Sequence, residues 1–379
     1  MLRINESRLA VTESIIQECP STRIIGIMHA LTDTETFVKH LYANRHSMEM
    51  LFGKPHSQDP LVIQRLESSG ISMHALKNYD HIEGTSVLRD TIARIKNISD
   101  TPLSIVDTGG YFAEPLRAMT EEEPELLPNG ILEVTTFGHN RYQECIQDIS
   151  TPVVSIARSP LKDVEAVFVG ESAWLGLDKV FREVGLSISG HSLGMVGYGM
   201  IGRRVVDAAL HGGAHTSVYD ANPIKQLDAR SYRHQPVASL EELLAENDIV
   251  LASTGGQSIS FEMMLNYAKN GIVLGSAGSR TQEIDMINLK KYATSMRHIH
   301  DDLAEYSLQN GKTIFILRGG SSINFLVSSC PDEAMDIVFA EMIAGIRMTL
   351  NEKLPLGIMH EVHDSIRKDI ATAWLSRMA

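Results

Sequence analysis

The stretch from His191 to Pro223, HSLGMVGYGMIGRRVVDAALHGGAHTSVYDANP, constrains the fold more than any other part of the chain. A short apolar run, Ser192 to Val196, leads into Gly197-Tyr-Gly199-Met200-Ile201-Gly202. A helical pattern follows, and a second apolar run ends at Asp220, about twenty residues on. Strand, glycine loop, helix and second strand with a terminal acid is the order in which a Rossmann βαβ unit holds a dinucleotide. Gly197 permits the tight turn, Gly199 lets backbone approach a pyrophosphate, and Gly202 lets the helix pack close on the strand. The first N–H groups of the helix, and its positive dipole end, then face the phosphates. Asp220 can accept hydrogen bonds from both ribose hydroxyls and would repel a 2′-phosphate, so NAD is expected over NADP. Lys225 and Arg203 are the nearby cations that oppose that preference.

At 379 residues the chain is long enough for two domains with full cores. A net charge of −13, with no basic run to offset it, argues against nucleic acid or an anionic membrane as partner. The first residues, MLRINESRLAVTES, lack a signal-peptide core, and no apolar stretch approaches the roughly twenty residues that span a bilayer. A cytoplasmic enzyme acting on a small molecule is the expectation. The three cysteines, Cys19, Cys145 and Cys330, are too scattered for a disulfide framework or a zinc site, and the histidines form no HExxH pair, so no metal is expected. His360 and His363 are expected on a solvated helix face, and Glu121-Glu122-Glu123-Pro124-Glu125 as an acidic loop that meets only solvent.

Apolar runs alternate with helical patterns along most of the chain, which predicts an α/β protein with two Rossmann-like domains, each a parallel sheet flanked by helices. Before the glycine motif, strands are expected around Arg23 to Met28, Leu103 to Val106 and Val153 to Ala157. After it they are expected around Ser217 to Tyr219, Asp248 to Ala252, Gly271 to Gly275 and Thr313 to Leu317. Residues 173–330 read as the NAD-binding Rossmann domain, and 1–172 with 331–379 as the substrate and catalytic domain. The tail is too short to fold alone and should pack back on the N-terminal part, with a hinge where the chain crosses near 172 and 331. Residues directly after two of the Rossmann strands, Ser253-Thr254-Gly255 and Ser276-Ala277-Gly278, are candidate cofactor contacts.

The order of motifs resembles the adenosylhomocysteinase (S-adenosylhomocysteine hydrolase) family over almost the whole length. Ile27-Met-His29 with Thr34-Glu35-Thr36 resembles CLHMTxET with two residues inserted, and Ser57-Gln58-Asp59 resembles STQD. Ser69-Gly70-Ile71 with Ala75-Leu76-Lys77 resembles AGIPVYAWK. Val106-Asp107-Thr-Gly109-Gly110 resembles DDGGD. Gly130-Ile-Leu-Glu133-Val134-Thr135-Thr136-Phe-Gly138 resembles GxxEETTTG, and Ser159-Pro-Leu-Lys162 resembles SVTK. The glycine motif resembles GYGDVGKG, and Tyr219-Asp220-Ala-Asn222-Pro223-Ile224 resembles TEIDPI. Gly278 with Glu283-Ile284-Asp285, and Asn324 of Gly320-Ser-Ser-Ile-Asn324, complete the series.

The resemblance implies a tightly held NAD that oxidises a substrate hydroxyl, so that the neighbouring C–H becomes acidic, a β substituent leaves, water adds and the ketone is reduced again. It would place Lys162 and Asp107 at the proton-transfer site, His29 near the departing group, and Thr135, Thr136 and Asn324 against NAD. It also implies a homo-oligomer, a dimer or tetramer. Taken from the residues alone, Lys162 could equally be a surface lysine after a turn, Asp107 a helix cap, and His29 a satisfied strand-end histidine. Departures from the family pattern are as pointed as the matches. Val134 stands where a sugar-binding glutamate is expected, Ala166 and Val167 where an aspartate and an asparagine are, Glu171 for a cysteine, Ser279 for a histidine, and Cys330 near another. The lysine- and tyrosine-bearing tail of typical members is likewise expected to be missing after Ala379. Ribose hydroxyls left without partners in a buried site cost about 1 to 3 kcal/mol each, so the ordinary substrate is expected to bind poorly. Arg158, Arg280 and Arg318 are the cations that would suit an anionic substrate instead.

Three functional readings remain: NAD-dependent hydride transfer on a different hydroxylated molecule, whose anionic character stays open; a divergent S-adenosylhomocysteine hydrolase; and a silent NAD-binding regulator. The first fits the retained Lys162 and Asp107 together with the altered sugar contacts.

Overall fold

Strand β1, Arg23–Ala30, is buried at every position but one, as a parallel strand with helices on both faces must be. The computed structural model describes residues 9–278 and 283–378. Two compact units emerge, Met1–Lys162 with Pro331–Ala379, and Asp163–Cys330, and the chain passes from the first to the second within the helix Pro160–Glu183.

The first unit is built on a parallel sheet. Its strands are β1, β2 (Ser47–Gln58), β3 (Met73–Ala75), β4 (Leu103–Asp107), β5 (Gly130–Glu133), β6 (Val153–Ser155) and a last short strand, Met359–His360. Among the described residues their order is Met359–His360, β6, β5, β4, β1, β2, β3. The C-terminal helix Asp332–Asn351 is integral to this unit's core. A Cβ on Gly130 would lie 2.0 Å from Thr349 Oγ1, and one on Gly345 would lie 2.5 Å from Leu132, so the helix lies directly on β5. Phe339 stacks on Phe37 with centroids 4.4 Å apart. Buried Asp336 accepts the backbone N–H groups of Val11 and Thr12 at 3.0 and 2.7 Å.

The second unit carries β7 (Ser192–Val196), β8 (His215–Tyr219), β9 (Gln235–Pro236), β10 (Ile249–Ala252), β11 (Ile272–Ser276), β12 (Ser295–His300), β13 (Leu303–Ser307) and β14 (Thr313–Leu317). Their order is β12, β13, β14, β11, β10, β7, β8, β9. The stretch from β14 to β9 is parallel, whereas β12, β13 and β14 pair antiparallel. The expected parallel sheet is thus present, with an antiparallel edge added to it at β13 and β12. Ser295–His300 is almost wholly exposed, so no apolar run marks it as a strand.

Two local expectations fail. His360 lies in a strand and its Nε2 meets the Pro355 carbonyl at 2.7 Å, while His363 precedes the helix Asp364–Met378 and pairs with Glu352 at 3.0 Å. The acidic run is not purely solvated either, because Arg89 pairs with both Glu122 and Glu123.

Candidate functional site

In the second unit the glycine motif forms a backbone cradle. β7 ends at Val196, Gly197 turns with φ of 92°, and the helix Met200–His211 starts after Gly199 as its cap. A Cβ on Gly197 would meet the Ser253 carbonyl at 2.7 Å, and one on Gly202 would lie 1.9 Å from the Gly197 carbonyl. At Gly199 a Cβ would meet no protein atom within 4 Å, so the space over this residue is open to a ligand. Helix geometry leaves the N–H groups of Met200, Ile201 and Gly202 without carbonyls four residues back, directed toward that space.

The edge of the cradle is fixed by hydrogen bonds. Asp220, just past β8, accepts the Tyr198 N–H at 2.7 Å and the Asn222 N–H at 2.8 Å, and its oxygens retain lone pairs for ribose hydroxyls. Arg203 is held by Asp163, so its charge is already matched within its own unit. The loops after β10 and β11 reach the same sheet edge: Ser253 donates to the Val196 carbonyl at 2.9 Å, and Ala277 to the Ala252 carbonyl at 2.9 Å. Gly278 donates its N–H to Ser276 Oγ at 3.1 Å. The N–H groups of Thr254 and Gly255 are given to Glu283, a buried carboxylate that also takes the Thr254 hydroxyl and shapes this loop. Buried Asn324 is engaged with Ser322 and Ser329.

The first unit gathers its chemistry at the carboxyl ends of β1, β2, β4 and β5. His29 keeps a small accessible edge, and its Nδ1 lies 2.6 Å from Ser57 Oγ. Burial, and then the ammonium groups of Lys54 and Lys162, hold its imidazole well below the usual histidine range, so it is neutral. Lys162 enters on the first turn of the helix Pro160–Glu183, after the Ser159 turn. It acts also on Glu341, a fully buried carboxylate on the C-terminal helix whose Oε1 is 2.7 Å from Arg367 Nε.

Asp107 and Glu133 end β4 and β5 as register partners, both without exposure. Asp107 accepts the Phe112 N–H and the Tyr142 hydroxyl, each at 2.9 Å, while its other oxygen is a buried atom without a hydrogen-bond partner. Glu133 accepts from Gly110 N at 2.9 Å, Thr135 N at 2.6 Å and Thr135 Oγ1 at 2.7 Å. Burial and then the neighbouring Asp107 push Glu133 up to about 8, so the pair retains a proton far above the ordinary carboxylate range. The richer set of donors on Glu133 makes it the first of the two to ionise as pH rises, with Asp107 keeping its proton longer. Thr135 caps the helix Thr136–Cys145 through Gly138 N at 3.0 Å, and Thr136 is exposed on its first turn.

Thus His29 and Lys162 come together, joined by Lys54, Ser57 and Glu341, which sequence reasoning did not single out as site residues. Asp107 instead shares its charge with Glu133. Glu341 had a legible signal, a lone acid inside Ile337-Val-Phe-Ala-Glu341-Met-Ile-Ala-Gly-Ile346, where a buried charge needs a partner. Of the three arginines, Arg158 is exposed beside Asn140, and Arg318 donates to the Ser322 carbonyl at 2.7 Å and lies near Asp302. Arg280 and Ser279 lie outside the described residues.

Residues 173–330 match the family model for the NAD-binding domain of S-adenosyl-L-homocysteine hydrolase. Adenosylhomocysteinases from Thermotoga maritima and Saccharolobus solfataricus are 28% and 26% identical over 299 and 338 residues, covering 77% and 87% of this chain and 71% and 78% of theirs. An S-inosyl-L-homocysteine hydrolase from Methanosarcina mazei is 28% identical over 71% of this chain and 65% of its own. By these matches the chain is adenosylhomocysteinase-like, with similarity to that family's NAD-binding domain over residues 173–330. NAD is accordingly its cofactor, and the open space over Gly199 and the anchored Asp220 carboxylate fit it. Among the described residues of this adenosylhomocysteinase-like chain no helix is long and apolar enough to cross a membrane.

Proposed function

We propose that this chain is an NAD-dependent enzyme that carries out hydride transfer on a hydroxylated small molecule other than S-adenosylhomocysteine. The observation that carries this reading is at the end of β5. Val134, 8% exposed, occupies the position where the family resemblance places a sugar-binding glutamate, and the adjacent carboxylate, Glu133, is consumed by backbone and threonine donors. A ribose hydroxyl brought there meets an apolar side chain, and a site that leaves a substrate hydroxyl unpaired rejects it strongly.

NAD would supply the acceptor for the hydride removed from the substrate. In this reading Lys162 Nζ exchanges a proton with the carbon or hydroxyl being oxidised. Glu341 keeps that ammonium in place and balanced. Neutral His29 takes up or delivers a second proton at the departing or entering group, steered by Ser57. Asp107 keeps a proton beside Glu133 and fixes the Gly109-Gly110 turn through its partner. Gly197, Gly199, Met200, Ile201, Gly202 and Asp220 hold the cofactor, with the loops Ser253–Gly255 and Ser276–Gly278 beside them. Contacts to NAD from Thr135, Thr136 and Asn324 are part of the same proposal, as is assembly into a homo-oligomer, which light scattering tests.

The relatives' names favour a second reading, a genuine S-adenosylhomocysteine hydrolase. Two assays on the NAD-loaded protein separate them: homocysteine release from S-adenosylhomocysteine, and NADH absorbance while hydroxylated compounds are offered. NADH formation without homocysteine release supports the proposal. Homocysteine release at enzyme-like rates overturns it, and silence in both assays over a broad panel supports a regulator.

A further inference from the structure

Glu283 lies beyond β11, 2% exposed, with its carboxylate turned under the loop that follows β10. One oxygen accepts the Thr254 and Gly255 N–H groups at 2.7 and 2.8 Å, and the other accepts the Thr254 and Ser258 hydroxyls at 2.7 and 3.1 Å. The main chain fixes the carboxylate in turn. Ser258 and Ile259 donate to the Glu283 carbonyl at 3.0 and 2.9 Å, and Ile259 bridges Ile284. A Cβ on Gly278 would come 2.8 Å from Glu283 Oε1, so the loop after β11 closes over the same carboxylate. A buried carboxylate is costly unless donors replace its water. Here backbone and side chains of a single loop replace it, which ties that loop's conformation to Glu283.

Peptide geometry gives the tie a direction. Among the described residues no peptide bond is cis, and across a trans peptide the C=O and N–H point to opposite sides. With the Thr254 and Gly255 N–H groups turned inward to Glu283, the Ser253 and Thr254 carbonyls turn outward. The Ser253 carbonyl is the atom that approaches the Gly197 turn, 2.7 Å from where a Cβ on Gly197 would stand. The loop thus offers acceptors rather than donors at the cradle. The strand order β11, β10, β7, β8 places it on the opposite side of the glycine turn from Asp220. A dinucleotide whose adenosine ribose meets Asp220 and whose pyrophosphate meets the helix start therefore lays its nicotinamide half along this loop.

We propose that Glu283 is a positioning residue for NAD: by holding the Thr254 and Gly255 N–H groups it presents the Ser253 and Thr254 carbonyls as acceptors to the hydroxyl and amide donors of the cofactor's nicotinamide half. The phosphates are left to the start of the helix Met200–His211. The inference rests on NAD as the cofactor and on no reading of the substrate.

The test compares NAD with ADP, which carries the adenosine ribose and two phosphates but no nicotinamide half, by calorimetry on the full-length protein freed of cofactor. Glu283→Ala should weaken NAD about tenfold or more and leave ADP unaltered. Glu283→Gln should keep most of the NAD affinity, because an amide there still accepts both N–H groups and the Thr254 and Ser258 hydroxyls can accept from it. Equal weakening of NAD and ADP in Glu283→Ala would mean a general loss of structure and overturns the proposal, as does an unchanged NAD affinity. A loss in Glu283→Gln as large as in Glu283→Ala would assign the effect to charge and overturns it too. In the unmodified protein the Thr254 and Gly255 amide protons should resist hydrogen exchange before NAD is added as well as after. Rapid exchange of both in the cofactor-free protein overturns the proposal whether or not the variants fold. None of these readouts depends on hydride transfer, so a failure of the catalytic reading leaves the role of Glu283 standing.

Discussion

The Nδ1 atom of His29 lies 2.6 Å from Ser57 Oγ, and the same hydroxyl is 3.4 Å from the Lys54 carbonyl, which can only accept. With the hydroxyl proton directed to that carbonyl, His29 donates from Nδ1, and Nε2 carries the lone pair. Ring 15N shifts should therefore show the Nδ1–H tautomer. The depressed proton affinity of His29 makes its contribution to stability present above the ordinary histidine value and lost as pH falls. Signals of the Nε2–H tautomer, or of an imidazolium at neutral pH, would remove His29 as a proton acceptor.

Asp220 is predicted to decide the cofactor, because its carboxylate is fixed by Tyr198 and Asn222 while Arg203 is matched by Asp163. Asp220→Ala should weaken NAD binding by about 1 to 3 kcal/mol, the usual worth of hydrogen bonds to a charged group. Calorimetry with both cofactors checks this. Equal or tighter NADP binding by the unmodified chain would mean that Lys225 outweighs the carboxylate.

The Asp107 and Glu133 pair should give stability a downward slope with rising pH. A carboxylate whose folded value is raised stabilises fully below its unfolded value and loses that contribution as pH climbs toward about 8. Chemical denaturation from about pH 5 to about pH 8 should show a loss on the order of 1 to 3 kcal/mol from this pair. Glu133→Gln should flatten the slope, since one charge of the pair is gone, although losing the acceptor for Gly110 and Thr135 lowers stability at every pH. An unaltered slope would show that the pair does not share a proton.

Asp336 ties the helix Asp332–Asn351 to the first described helix, Ala10–Gln17, through Val11 and Thr12. Asp336→Ala leaves two buried N–H groups unpaired and should cost about 2 to 6 kcal/mol in denaturant unfolding, at about 1 to 3 kcal/mol for each unmet group. A change under about 0.5 kcal/mol, the range of ordinary surface substitutions, would show that the helix is not docked this way.

How far the sequence reaches is plain from particular residues. Gly197, Gly199, Gly202 and Asp220 are legible because each answers a local demand of backbone geometry or charge, and local demands are written in spacing. The strands read from apolar runs are present, since a buried parallel strand needs such a run. Ser295–His300 escaped because an exposed edge strand needs none. Lys54 escaped because its burial follows from a register break, and Lys-Pro-His otherwise reads as a solvated turn. Glu341 meets Lys162 only through the packing of a helix far along the chain, a relation that no spacing encodes. Asp107 stood out by resemblance as a proton-transfer candidate, but its partner Glu133 was hidden in the same motif that drew attention to Val134.

The most direct measurement is homocysteine release from S-adenosylhomocysteine by the NAD-loaded protein, run beside its Lys162→Ala variant and beside NADH formation from hydroxylated small molecules. The account predicts no useful homocysteine release from either protein, and NADH formation on an accepted substrate that falls about 10² to 10⁴-fold in Lys162→Ala with NAD binding intact, as loss of a positioned proton-transfer group implies. Robust homocysteine release by the unmodified protein, or undiminished NADH formation without Lys162, would contradict it.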